Sequence, residues 1–134
     1  MQPLQIISLN DSLIAISCSA FKDGINGQVQ VWNTNSLNAE QEVDMSFVTS
    51  YEFNDKSIPW HLIKSPIADE IFVVLGGTSG NGGVACLTYS ENTIDRKWRF
   101  EHNRFETLHG ITIDENGEYI YVTGRGDHYL YQFH

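Results

Sequence analysis

This chain repeats itself, and the repeat limits what it can fold into. Moving HGITIDENGEYIYVTG (residues 109 to 124) back by 48 positions lays it on HLIKSPIADEIFVVLG (61 to 76). His109 then meets His61, Ile111 meets Ile63, Glu118 meets Glu70, Val122 meets Val74 and Gly124 meets Gly76. Moving the same window back by 106 brings Asn116, Ile120, Val122 and Thr123 onto Asn10, Ile14, Ile16 and Ser17, with Pro3 where the histidine would stand. Each copy reads as apolar strand, polar turn, apolar strand, the pattern of an antiparallel hairpin. A sheet-forming unit that recurs every 40 to 50 residues or so buries its faces against its own neighbours, as in radially stacked sheets.

Each hairpin is followed by a glycine-containing loop and a further alternating run: QVQVWN at 28 to 33, VACLTY at 84 to 89 and HYLYQF at 128 to 133. Fourth strands are expected in EVDMSFV at 42 to 48 and KWRFEH at 97 to 102. No window carries apolar residues at three-four spacing, so no helix is expected. The fold class read from the sequence is all-β: antiparallel four-stranded blades of an incomplete β-propeller, eleven strands in about 2.75 blades. Blade 1 spans about residues 3 to 50, blade 2 about 59 to 103, and blade 3 about 107 to 134, without its last strand. The run YIYVT is apolar or aromatic on both faces, which predicts a strand sandwiched between two sheets.

PWHLIKSPIADEIFVVLGG and TLHGITIDENGEYIYVTGRGD resemble the YVTN repeat of lactonase-like propellers, whose pattern runs His-Gly-Ile, an alternating pair, Ser-Pro-Asp-Gly, then Tyr-Val-Thr. His109, Gly110, Ile111, Asn116, Gly117, Tyr121, Val122 and Thr123 stand in motif positions, whereas Ser65-Pro66 comes one residue early. GQVQVWNTNS at 27 to 36 resembles the end of a WD-repeat strand, with Trp32 in place and Asn33 for the aspartate. The resemblance implies a propeller fold. It leaves function open, because such repeats serve enzymes, redox proteins and scaffolds alike.

Four blades are about the minimum for closure. The expected partners are therefore the remaining blades of a longer chain or other copies of this one, with a protein or small-molecule ligand on the loop-rich face. The formal charge of -9, from 8 basic and 17 acidic residues, repels phosphate backbones and argues against nucleic acid. Arg96, Lys97, Arg99 and Arg104 bunch locally, but Asp95, Glu101 and Glu106 interleave with them as on a mixed-charge, solvated strand edge. Cys18 and Cys86 have neither zinc nor CxxC spacing. MQPLQIISLN lacks the basic and apolar regions of a secretory signal, and no run reaches the roughly 18 apolar residues of a membrane helix. No compartment follows, and a membrane is not among the expected partners.

In such a fold the loops entering strand A and those joining strands B and C emerge at one end. That rule gathers residues 50 to 61, 102 to 109, 18 to 27, 75 to 83 and 124 to 127 into one binding face, with Trp60, His61, His109, Arg125 and Asp127 as its candidates. His61 and His109 take equivalent places there. Their simplest role is to fix repeat packing, since the first copy offers Pro3 and no third ligand, so neither metal nor cofactor is expected. LGGTSGNGG lacks the lysine and the following helix of a phosphate loop, and Asp23 to Gly27 lacks calcium-loop spacing. Arg125-Gly126-Asp127 fills a hairpin loop. The leading expectation is a non-enzymatic binding or assembly scaffold. The alternative is part of a lactonase-type hydrolase, with or without a metal, whose acid and base would come from Asp55, His61, Glu106, His109 and Asp127.

Overall fold

The computed structural model describes residues 1–20, 25–37, 43–76, 82–105, 107–126 and 128–134, with backbone only at 35–37, 43 and 44. These residues form eleven β-strands and no helix. In chain order the strands are β1 (Gln2–Ser8), β2 (Leu13–Ser19), β3 (Gln28–Leu37), β4 (Val43–Glu52), β5 (Ile58–Lys64), β6 (Glu70–Gly76), β7 (Gly83–Tyr89), β8 (Ile94–Glu101), β9 (Leu108–Ile113), β10 (Ile120–Gly124) and β11 (Leu130–Phe133). They make three antiparallel meanders: β1-β2-β3-β4, β5-β6-β7-β8 and β9-β10-β11. The sheets meet chiefly through their first strands, β1 beside β5 and β5 beside β9. Among the described residues the architecture is all-β and forms no closed barrel, an arrangement consistent with the blades of an incomplete propeller.

The middle sheet shows why the strands look as they do. Ile71, Val73 and Leu75 of β6 face the first sheet, and Phe72 and Val74 face the third. Side chains alternate across a strand, and here both faces are covered, so β6 is an unbroken apolar run. YIYVT in β10 behaves differently. Ile120 and Val122 are buried toward the second sheet, Tyr121 is half-buried and Thr123 exposed. The sandwiched strand is in the second sheet; the outer face of β10 meets no sheet among the described residues.

The repeat register also differs from the sequence alignment by one residue. Ser65 opens the β5–β6 turn by donating its N–H to the Glu70 carbonyl (2.9 Å), and Asp114 does the same to Tyr119 (3.0 Å) in the β9–β10 turn. Ile120 and Val122 point into a core as Ile71 and Val73 do. The structural offset between the second and third sheets is thus 49, not 48, and the early Ser65-Pro66 marks that slip. A one-residue slip exchanges the two faces of a strand, so packing decides what letter matching leaves ambiguous. In the third sheet the turn closes on Gly117, whose φ of 73° favours glycine. The Asp114 carboxylate accepts the N–H groups of Glu118 and Tyr119, both at 2.8 Å.

Candidate functional site

Each first strand carries a bulge near its start. The register shifts between Pro3 and Gln5 in β1, between Pro59 and His61 in β5, and opposite Val122 and Gly124 in β9. The extra residues are Leu4, Trp60 and, at the 49-residue offset, His109. Bulges bend a strand and re-aim its side chains, and they concentrate near functional sites. His61 and His109 are therefore not equivalent: His109 matches Trp60, and Gly110 follows it as His61 follows Trp60. In the first sheet Gln5, not Pro3, takes the place of His61, and its amide oxygen accepts the Leu62 N–H across the seam. A Cβ at Gly110 would lie 2.8 Å from the Thr123 hydroxyl that accepts the Gly110 N–H at 2.9 Å, so any larger residue there displaces that hydroxyl.

Although not equivalent, the two histidines meet. Their ring centroids lie 4.7 Å apart, edge to face, and the His109 ring also lies 5.5 Å from that of Trp60. All three side chains are half-buried. Burial, followed by the charges of His61 and Arg125, holds His109 below the usual imidazole range. His109 is consequently neutral near pH 7, available as a hydrogen-bond acceptor or base.

Backbone hydrogen bonds tie several of these loops together. The Phe53 N–H donates to the Gly27 carbonyl (2.9 Å), Gly82 to Phe105, and Arg125 to Thr107 (2.7 Å), so each β2–β3-type loop is tied to a segment entering a first strand. Trp60, His61, His109 and Arg125 thus belong to one end of the sheets. Glu106 and Asp127 lie outside the described residues, as do residues 21–24 and 77–81 of the two glycine-rich loops.

Asp55 is engaged in an ion-pair network with Arg99. Its carboxylate takes a 2.6 Å ion pair from Arg99 and the Ser57 N–H at 3.1 Å, while Arg99 also donates to the Ser57 hydroxyl (2.9 Å) and pairs with Glu101 at 2.6 Å. Burial alone would raise the Asp55 carboxyl. The hydrogen bonds from Arg99 and Ser57, with the Arg99 charge, outweigh it and leave the group below the usual carboxylate range. Arg99 sits on β8, the outer strand of the second sheet, and its side chain reaches back to Asp55 and to Ser57, just before β5. This network was missed as a site in the sequence, where Arg99 read as one charge of a solvated edge. Its side chain is only 11% exposed. The available signal was Asp55-x-Ser57, an aspartate positioned to cap the backbone two residues on. A shallow cleft of about 280 Å³ lies beside it, lined by Tyr51, Phe53, Asn54, Asp55, Arg96, Arg99 and Glu101.

Among the described residues no three His, Cys, Asp or Glu side chains come together as a metal would require. Cys18 and Cys86 are buried free thiols. Burial, with Glu70 nearby, pushes Cys86 up to about 12, so it packs as a small apolar group.

The class that fold and site define is thus an all-β protein of stacked antiparallel sheets with an aromatic–imidazole cluster on its inner strands. No protein-family model matches the chain, and no curated protein or solved structure matches it significantly.

Proposed function

We propose that this chain is a segment of a YVTN- or WD-like β-propeller that works as a binding or assembly scaffold. Its recognition centre is the Trp60–His61–His109 cluster, with Arg125 on the same loop-rich end. One observation carries the reading: rings from two neighbouring inner strands converge at bulged positions, while Asp55, the one candidate carboxylate among the described residues, is engaged in an ion pair with Arg99. That constellation offers flat apolar surface and hydrogen-bonding edges suited to a ligand with an aromatic or planar polar group. The partners that complete the assembly are further blades of a longer chain, or other copies of this one. Light scattering on the purified chain separates these: a monomer supports the longer chain, and a discrete dimer or trimer supports self-completion.

A hydrolase of lactonase type is the second reading, and the neutral His109 favours it as a general base. A panel of lactones and esters decides between the two. The scaffold reading predicts no turnover above the uncatalysed rate, and turnover abolished by His61→Gln or His109→Gln would replace it with the hydrolase.

A further inference from the structure

A bulge in β8 puts two arginines on one face of the strand. Arg96 stands opposite Leu87 and Arg99 opposite Ala85, with Lys97 as the extra residue between them. Ala85 and Leu87 belong to the core between the first and second sheets, so both arginines turn toward the first sheet. In a regular strand, residues three apart point to opposite faces. Glu101, opposite Gly83, continues the same row.

Facing this row are the end of β4 and the β4–β5 loop. Tyr51 is half-buried and packs edge to face on the buried ring of Phe53, with 5.0 Å between centroids. The two walls enclose the cleft of about 280 Å³. They are β4 with its loop and β8, none of which lies at either end of the chain.

Arg99 is nearly buried, yet its two ion pairs do not exhaust it. Glu101 Oε1 lies 2.6 Å from Nε but off the direction of the N–H, so that buried donor makes no hydrogen bond. A buried donor without an acceptor is costly, and a ligand that supplies one recovers the cost. Arg96 is exposed and forms no ion pair among the described residues. Asp55 and Glu101 keep 47% and 46% of their side-chain surface in solvent. The cleft therefore presents guanidinium donors and carboxylate acceptors side by side, two of each, with no net charge. A chain of formal charge -9 repels an anionic ligand but not one that carries both charges.

We propose that this cleft binds a free α-amino acid with an aromatic side chain. The ligand carboxylate lies between Arg96 and Arg99 and accepts the unsatisfied Nε–H, and the ammonium group, one carbon away, meets Asp55 and Glu101. The ring lies against Tyr51 and extends the edge-to-face pair with Phe53. A cleft of this volume is just below the range of roughly 300 Å³ and more that holds drug-sized ligands, which limits the occupant to a small molecule. No residue of the Trp60–His61–His109 cluster lines it, so the inference stands apart from the scaffold reading.

The probe is L-phenylalanine, titrated into the 134-residue chain and followed by calorimetry and by backbone amide NMR shifts. Saturable binding is expected, with the largest shifts at Asn54, Asp55, Arg96 and Arg99. 3-Phenylpropionate lacks the ammonium group and phenethylamine lacks the carboxylate. Each binds at least about tenfold more weakly, the scale of one lost hydrogen bond to a charged group. Arg96→Gln weakens L-phenylalanine by a similar factor and leaves the unfolding midpoint unchanged, because that side chain is exposed and unpaired. Absence of saturation at millimolar concentration, shifts confined to other residues, or full affinity in the Arg96→Gln variant overturns the proposal. So does 3-phenylpropionate binding as tightly as L-phenylalanine, which would make the cleft a site for simple anions.

Discussion

Between the first and second sheets the seam is mainly aliphatic and closed: Val29, Val31, Ile71, Val73, Ala85 and Leu87 are fully buried, with Phe53 and Tyr89 buried beside them. Between the second and third an aliphatic centre of Val74, Val84 and Val122 is joined by more rings and is partly open, with Phe72 and Phe105 buried and Trp60, Tyr131 and Phe133 only partly so. The first seam has four strands facing four, the second four facing three. Branched aliphatic side chains fill a space enclosed on every side. At an open rim, large rings keep packing area while one edge stays wet. The candidate ring cluster lies on the second seam, and the first seam is the more completely enclosed.

Four measurements test that contrast, the largest expected effect first. Leu87→Ala in the closed seam is expected to cost about 2–5 kcal/mol, because its cavity has no solvent to fill it; urea unfolding measures the loss. Phe133→Ala in the open seam is expected to cost about 1 kcal/mol by the same assay, the scale of one aromatic contact at a partly wet site. Equal losses at the two positions would erase the distinction.

Smaller effects probe the polar groups of each seam. Asp55→Asn at the first seam should remove about 0.5 kcal/mol, since the pair with Arg99 is half exposed and screened. The wild-type carboxyl is depressed on folding, so its contribution is complete above the ordinary carboxylate value of about 4 and is lost as pH falls through the depressed value. Stability of the Asn variant should lack that part of the acid dependence. His109→Gln at the second seam should do less, under about 0.5 kcal/mol after solvent screening. A depressed imidazole binds its proton more readily unfolded than folded. Stability is thus complete above about pH 6.5 and falls as pH drops through the His109 value, and the Gln variant loses that slope. NMR titration of the His109 ring checks the direction: a midpoint above that of a free histidine would contradict it.

Much of the architecture was legible because hairpins are local. Period-two alternation and turns such as Asn116-Gly117 mark strand number and order without reference to the rest of the chain. The candidate site was half legible. His61 and His109 stood out as repeated letters, yet the alignment that paired them was wrong by one, and Trp60 is the structural counterpart of His109. That the two rings nonetheless touch follows from the bulges, which no local pattern in the sequence announces.

Arg99 illustrates the same limit from the other side. Nothing near it in the chain distinguishes it from Arg96, and only the approach of the β4–β5 loop makes it the partner of Asp55, 44 positions away. What the sequence by itself determined was the all-β class and the meander order, because strands and hairpin turns are set by neighbouring residues. The tertiary structure alone decided which face of each strand is buried and which rings meet across a seam. Those depend on one-residue register and on contacts between sheets, where side chains distant in the chain compete for the same space.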